Sequence, residues 1–263
     1  MLIPSLELKG AGIALLASSM LHALLLIGCF VGFPSLRKFG SRVIAFSFAS
    51  LKKVAHIGNP VGARAVADTF IWDLALVWMI SQFGTEHEAA AAIILVWVDQ
   101  LLLPCDGIGT ASITYVAGAL GANRLISANK WRLHTWLLMT LYTAAAGVLF
   151  YLFRHSIAAT AGDPQVEKLV LSLSFIVPIL MLFYATYNTY DHALCATPDN
   201  YWPTIINFGI SVIILGPGAM FTFANFIDYQ STAIWVLFTI NVAVIAIAFF
   251  LRWEMGRWKN MKI

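Results

Sequence analysis

The chain has 263 residues, of which 60% are hydrophobic and only 11% are charged. A soluble domain carries about 25% charged residues, so this composition excludes an ordinary soluble fold. The formal net charge is +3, but the basic residues lie between apolar blocks, which excludes a nucleic-acid-binding patch. The cysteines, Cys29, Cys105 and Cys195, stand singly and form neither a disulfide framework nor a paired metal site.

Seven long apolar blocks follow one another along the chain. A bilayer span needs about 20 mostly apolar residues. Backbone groups cannot stay unpaired in lipid, and the blocks lack the alternation of barrel strands, so they are predicted to be helices. The blocks are roughly residues 11–33, 54–82, 88–118, 133–153, 167–190, 202–224 and 232–251. The sequence therefore predicts an all-α, polytopic membrane helix bundle with about seven transmembrane helices.

Basic residues are distributed unevenly between the two sides of this predicted bundle. Most lysines and arginines fall at 34–53, at 119–132 and in the tail 252–263, whereas Lys9, Arg154 and Lys168 fall on the opposite side. The positive-inside rule places the larger group in the cytoplasm, for a multi-pass protein of the cell inner membrane. Met1 then lies outside, and we expect a further segment upstream of it.

Ionisable side chains inside the predicted helices are the main candidates for function, because a charge at membrane depth is costly. Arg64 and Asp68 are four residues apart and share a helix face, which fits either an ion-exchange site or a structural ion pair. Asp73 follows on the same block. Asp99 and Asp106 are nearly two helical turns apart, so both face either a cavity or backbone freed at a nearby proline.

The fifth block ends in a polar and aromatic run. Tyr184, Tyr187 and Asn188 precede Asp191 and His192, which end the block near the predicted cytoplasmic interface. The run is typical either of an interfacial aromatic girdle or of a cavity wall that holds a hydrophobic cation against its rings.

Proline interrupts four of the predicted helices. Pro60 lies near the start of the second block, Pro104 and Pro178 lie in the middle of the third and fifth, and Pro217 lies in the sixth. Such residues bend helices and line central cavities in transporters, although proline is common in membrane helices generally. We treat these four as candidate hinges.

Enzyme motifs are weak in this sequence. His87-Glu88 begins like a zinc-protease motif, but Ala91 stands where the second histidine would be. We therefore expect neither an enzyme, nor a metal site, nor a bound cofactor.

Short motifs along most of the chain follow a familiar order. They are LKGAGIA at 8–14, IGNP at 57–60 with Asp68 after it, FGT at 83–85, LPCDGIGTA at 103–111, VAGALGA at 116–122, GDPQV at 162–166, and Asn207, Gly209 and LGP at 215–217. In this order, over residues 8–225, the chain resembles the multidrug and toxic compound extrusion (MATE) transporters, from their sixth helix through their six-helix C-terminal lobe.

The resemblance implies a domain organisation. Residues 1–33 would be the last helix of a missing N-lobe, 34–53 a cytoplasmic linker, 54–251 a six-helix C-lobe and 252–263 a cytoplasmic basic tail. Within the linker, residues 43–51 form either an interfacial amphipathic helix or a plain loop. The implied partners are the lipid bilayer, small organic cations and an N-lobe paired covalently or non-covalently, with no nucleic acid.

The resemblance also implies antiport, in which organic cations leave in exchange for inward H⁺ or Na⁺ and Asp68 is the coupling carboxylate. Asp73 lies where some members carry a second acid. The chain departs from the family where Tyr184 replaces an acid of the tenth helix and Cys195 replaces an arginine; Asp191 is the candidate substitute.

Two alternative functions stay open. A flippase for lipid-linked oligosaccharides shares the architecture but favours a strongly cationic cavity, for which Arg64 is the only candidate. An orphan lobe, inactive alone or acting as an assembly partner, is the second alternative.

Overall fold

The computed structural model describes residues 3–34, 47–197, 201–226 and 230–260, and within them every regular element is a helix. The α-helices are α1 (Ile3–Gly32), α2 (Phe48–Thr69), α3 (Leu76–Ser81), α4 (Thr85–Gly121), α5 (Leu125–Leu152), α6 (Arg154–Ala158), α7 (Pro164–Leu173), α8 (Ile176–Cys195), α9 (Tyr201–Asn225) and α10 (Gln230–Glu254). A π-helical segment, Phe70–Ala75, joins α2 to α3. Short 3-10 turns follow α6 and α10. The predicted all-α architecture is confirmed.

Five of the described helices are long and apolar enough to cross a membrane, namely α4, α5, α9, most of α10 and the Gly12–Gly32 part of α1. Helices α7 and α8 meet at a bend of 48° and make a sixth span if they cross together. The sequence predicted about seven spans. The difference is the block at 54–82, which carries Arg64, Asp68 and Asp73 and is divided between α2, the π segment and α3.

The chain divides into two compact units, Met1–Ala55 and His56–Ile263. The first unit contains α1 and the first turns of α2. Most of the predicted linker 34–53 falls on residues 35–46, which lie outside the described residues. Of the predicted interfacial helix at 43–51, residues 43–46 also lie outside them, whereas residues 48–51 form the first turn of α2.

Helix α8 is the centre of the second unit and packs against α4, α5 and α10. Leu180 and Met181 of α8 are fully buried, as are Phe238 and Phe249 of α10. Helix α9 packs on α10, and α7 packs on α4. The outward side chains are apolar as well: Ile126, for instance, is 77% exposed. A contiguous apolar exterior of this kind fits a surface that faces lipid.

The motif GDPQV at 162–166 contains the N-cap and the first turn of α7. Gly162 takes a left-handed φ of 72°, which suits a residue without a β-carbon. The side chain of Asp163 caps the helix by accepting a hydrogen bond from the backbone N–H of Gln165 at 2.7 Å. Pro164 then occupies the first turn, where a missing N–H costs nothing.

The candidate hinge prolines lie in different settings. Pro104 and Pro217 lie inside α4 and α9, which continue through them. Pro178 was predicted in mid-helix, but the structure places it in the first turn of α8, just after the bend from α7. The side chain of Pro60 lies outside the described residues. Near Pro104, the hydroxyl of Tyr142 donates to the backbone oxygen of Leu101 at 2.8 Å.

Candidate functional site

A polar cavity of about 490 Å³ opens between α2, the π segment, α4 and α8. Most of the candidate site residues line it, although they come from distant parts of the sequence. The lining residues are Asp68, Thr69, Trp72, Asp99, Leu102, Leu103, Asp106, Tyr184, Tyr187, Asn188, Asp191 and His192. Within the part of the chain that the structure describes, four carboxylates and no lysine or arginine line the cavity.

Asp68 is held at the last turn of α2 by two neutral donors. Its Oδ1 atom accepts a hydrogen bond from Asn207 Nδ2 at 2.6 Å and from the Tyr187 hydroxyl at 3.0 Å. The two donors lie 3.4 Å from each other. Hydrogen bonds to an ionised acceptor are roughly twice as strong as neutral ones, so these two donors stabilise the charged form of the carboxylate.

Asp106 has a separate set of donors from α8. Its Oδ1 atom accepts from Asn188 Nδ2 at 2.9 Å and from the Tyr184 hydroxyl at 3.2 Å. Asn188 Nδ2 also donates to the Tyr184 oxygen at 3.2 Å. The tyrosine that stands in place of an acid on α8 is therefore in contact with an acid on α4.

Asp191 and His192 line the cavity and lie before the end of their helix. Asp191 is 3% exposed and lies a turn before the end of α8. His192 Nδ1 lies 3.9 Å from Asp191 Oδ2 and 2.8 Å from the backbone oxygen of Asn188. The prediction assumed that the helix ended at this pair, whereas α8 continues to Cys195.

An aromatic wall connects the two carboxylate positions. The rings of Tyr184 and Tyr187 are 5.6 Å apart, and Trp72 meets Tyr184 edge-on at 5.9 Å. Behind them, Tyr187 stacks on Phe249 at 5.6 Å and Trp72 meets Phe238 at 4.6 Å. Ring faces attract organic cations, so the wall and the carboxylates together suit an amphipathic cation.

Some candidates were missed, and others lie beyond what the structure describes. Asn207 and Trp72 were not predicted as site residues; an asparagine within an apolar block is the signal that would have found the first. The side chains of Arg64 and Asp73 lie outside the described residues. The predicted Arg64–Asp68 pair and the role of Asp73 therefore stay predictions.

A larger cavity of about 670 Å³ lies between the π segment, α3 and α9. Its lining is apolar except for Ser211, so it contains no group that exchanges an ion. Among the described residues, no three His, Cys, Asp or Glu side chains come together in a way that could hold a metal ion. The polar cavity is therefore the better candidate site.

The fold and the cavity define a multi-pass α-helical membrane protein with an acidic, aromatic-lined site between its helices. A family model described as MatE matches residues 65–220, which is more than half of the chain. The chain belongs to the MatE family of transporters, as the motifs predicted; these are secondary transporters rather than enzymes.

Individual relatives agree with this assignment. A probable multidrug resistance protein NorM from Rhizobium meliloti (strain 1021) is 24% identical over 181 residues, which are 68% of this chain and 38% of that protein. A solved structure, MATE in the bent conformation, matches this chain with a TM-score of 0.76 at 15% identity. The match covers 97% of this chain and 57% of the solved chain.

A multidrug resistance MATE family transporter in the outward-facing conformation matches with a TM-score of 0.71 at 15% identity. That match covers 99% of this chain and 59% of the solved chain. The chain thus spans less than two thirds of the relatives it matches.

Proposed function

We propose that the chain is part of a cation-coupled multidrug exporter of the inner membrane, which exports organic cations in exchange for inward H⁺ or Na⁺. The observation that carries the proposal is the shared cavity, in which four carboxylates and an aromatic wall meet without a lining lysine or arginine among the described residues. The similarity to a probable multidrug resistance protein, NorM, supports the same function.

The mechanism follows from competition at Asp68. With its carboxylate ionised, the two neutral donors hold it in place and an organic cation in the cavity gains its attraction. When a coupling ion occupies the carboxylate, that attraction is lost and the organic cation is released. Binding linkage is reciprocal, so the organic cation must weaken ion binding to the same degree.

The lipid-linked oligosaccharide flippase is the less favourable alternative. Its substrate carries a pyrophosphate, and four carboxylates around the cavity would repel that group. An orphan lobe that acts as an assembly partner is compatible with the fold, and it differs from the exporter in predicting no binding of organic cations by the cavity.

The test is binding by the purified 263-residue chain in lipid nanodiscs. We expect tetraphenylphosphonium to bind, to be displaced by either protons or Na⁺, and to lose most of this ion dependence in Asp68→Asn. Asn keeps the Oδ1 acceptor for Asn207 and Tyr187, so the fold should be unchanged. Glu88→Gln, which removes an exposed carboxylate outside the cavity, is the matched control and should retain ion-dependent binding.

Two results would argue against the exporter. Binding whose ion dependence survives in Asp68→Asn would place the coupling site elsewhere. Absence of binding by a well-folded wild-type chain would favour the orphan lobe.

A further inference from the structure

Asn188 occupies a buried position on α8 between a carboxylate and a histidine. The residue is 3% exposed. Its Nδ2 atom donates to Asp106 and to Tyr184, and its backbone oxygen lies 2.8 Å from His192 Nδ1. One residue therefore contacts three groups of the cavity.

The side-chain oxygen of Asn188 is the unusual feature of this arrangement. It is buried and has no hydrogen-bond partner among the described residues. A β-carbon built on Gly109 would lie 2.8 Å from this oxygen and 2.8 Å from two atoms of the His192 ring. The oxygen therefore lies in a small space that exists because residue 109 is a glycine, next to the histidine.

The charge of Asp106 explains why the amide adopts this orientation. An ionised carboxylate only accepts hydrogen bonds, so the amide nitrogen must face it and the amide oxygen must face away. The orientation gains a charge-assisted hydrogen bond on one side and leaves a buried carbonyl unpaired on the other, which is unfavourable. The balance between these two effects depends on whether Asp106 carries a proton.

We propose that Asn188 responds to the protonation of Asp106 by turning its side-chain amide over. When a proton from cavity water binds Asp106, the carboxyl gains an O–H donor and no longer requires the amide nitrogen. The turned amide accepts that O–H through its oxygen, while Tyr184 continues to donate to the carboxyl. The amide nitrogen then faces Gly109 and the His192 ring, so the buried group without a described partner becomes an N–H donor instead of a carbonyl, and the turn is driven by the new hydrogen bond from the protonated Asp106.

Other titratable side chains also surround Asp106. They are Asp68 from α2, Asp99 and Cys105 from α4 itself, and Tyr184, Asp191 and His192 from α8. From α5, the Tyr142 hydroxyl is engaged with the backbone of Leu101. No described member of this set is a lysine or arginine, and the donors to Asp106 are the uncharged side chains of Asn188 and Tyr184.

Asn188 is thus a positioning residue that links Asp106 to the Asp191–His192 pair. The turned amide changes what the His192 ring contacts, and Nδ1 of that ring lies 3.9 Å from Asp191 Oδ2. The inference rests on the function proposed above, because it gives the same cavity a second ion-responsive carboxylate whose donors are separate from those of Asp68.

The experiment is a pH titration of the side-chain amides by nuclear magnetic resonance, using the full chain labelled with ¹⁵N-asparagine in nanodiscs. Loss of signals in Asn188→Leu assigns the Asn188 amide. We expect the Asn188 signals to move between two positions with pH in the wild type and to become independent of pH in Asp106→Leu. Asn207, whose amide donates to Asp68 instead, is the internal reference and should respond equally in both proteins.

A control variant separates Asp106 from the neighbouring histidine. In His192→Phe the Asn188 titration should persist, since the proton binds at Asp106. The inference is overturned if the wild-type Asn188 signals do not move with pH, if they still move in Asp106→Leu, or if they stop moving in His192→Phe. An unchanged Asn207 spectrum shows that each variant is folded.

Failure of the function proposed above has a different signature. It would appear as a wild-type chain that binds no tetraphenylphosphonium while its Asn188 signals still titrate. Failure of this inference would appear as ion-dependent binding in a chain whose Asn188 amide does not respond to pH.

Discussion

Asp68 accepts hydrogen bonds from two uncharged groups, Asn207 and Tyr187, and Arg64, four residues before it, is the residue that could give it a structural role instead. If Asp68 couples the ion, Asp68→Asn should fold normally and lose ion-dependent exchange. If Asp68 mainly neutralises Arg64, the same change leaves a buried arginine unpaired, at a cost of about 3–5 kcal/mol, and the yield of folded protein should fall.

The double variant Arg64→Gln with Asp68→Asn decides between these roles. We expect it to restore any lost yield without restoring ion dependence, because the amide at position 68 cannot gain or lose a charge. Two measurements are needed. Size-exclusion chromatography gives the yield of folded protein, and a binding assay on the same preparation gives the ion dependence of cation binding. Recovery of ion-dependent binding would mean that Asp68 is structural and that the ion site is at Asp99, Asp106 or Asp191.

At the scale of elements, Gly109 sets how closely α4 approaches α8. Its missing β-carbon leaves room for Asn188 and the His192 ring. Gly109→Ala should destabilise the protein by about 1–3 kcal/mol, as overpacking typically does. Gly107→Ala is the matched control, because nothing lies within 4 Å of its β-carbon position and alanine favours the helix. Thermal unfolding in detergent measures both, and equal midpoints would contradict the close approach.

Arg132 connects three helices at the end of α5. Its guanidinium donates to the Tyr190 hydroxyl of α8 and to Asn129 Oδ1 at 2.7 Å, and it lies 3.7 Å from Glu254 of α10. The Glu254 side chain is 49% exposed, so this ion pair contributes less than about 1 kcal/mol. Hydrogen bonds to a buried charged group contribute about 1.5–3 kcal/mol.

These magnitudes predict unequal effects on stability. Glu254→Gln should change the free energy of unfolding by less than about 1 kcal/mol, and Arg132→Met should lower it by about 2 kcal/mol or more. Denaturant unfolding of both variants provides the measurement. A larger loss of unfolding free energy in Glu254→Gln than in Arg132→Met would contradict this. It would show that the ion pair with Glu254, rather than the contact with α8, stabilises the packing around Arg132.

Some helices and site residues could be predicted from the sequence, and others could not. Long apolar blocks predicted the helices, and the cost of a charge in lipid led directly to Asp68, Asp99 and Asp106. The π segment and the bend before Pro178 depend on tertiary packing, which no local pattern encodes. Asn207 reaches Asp68 across 139 positions of sequence, and only the folded chain brings them together.

At the scale of the whole molecule, the orientation in the membrane is set by the lysines and arginines. We expect single cysteines introduced at positions 40 and 258 to be protected from an impermeant thiol reagent in intact cells, and one at position 86 to react. The native cysteines must be replaced first, since Cys29 is exposed and Cys195 is partly so. Ready labelling at 40 or 258 would reverse the assignment.

The open side of the cavity leads to the final prediction. Asp99 and Asp106 are exposed on α4, and carboxylates facing lipid are costly, so another protein surface should cover them. The chain spans 57% of a solved MATE with the same fold. We therefore expect residues 1–263 alone to confer no dye resistance on an efflux-deficient host, whereas co-expression with a family N-lobe should confer it. Resistance from the chain alone would refute this, unless cross-linking through a cysteine at Asp99 showed that two copies close the cavity between them.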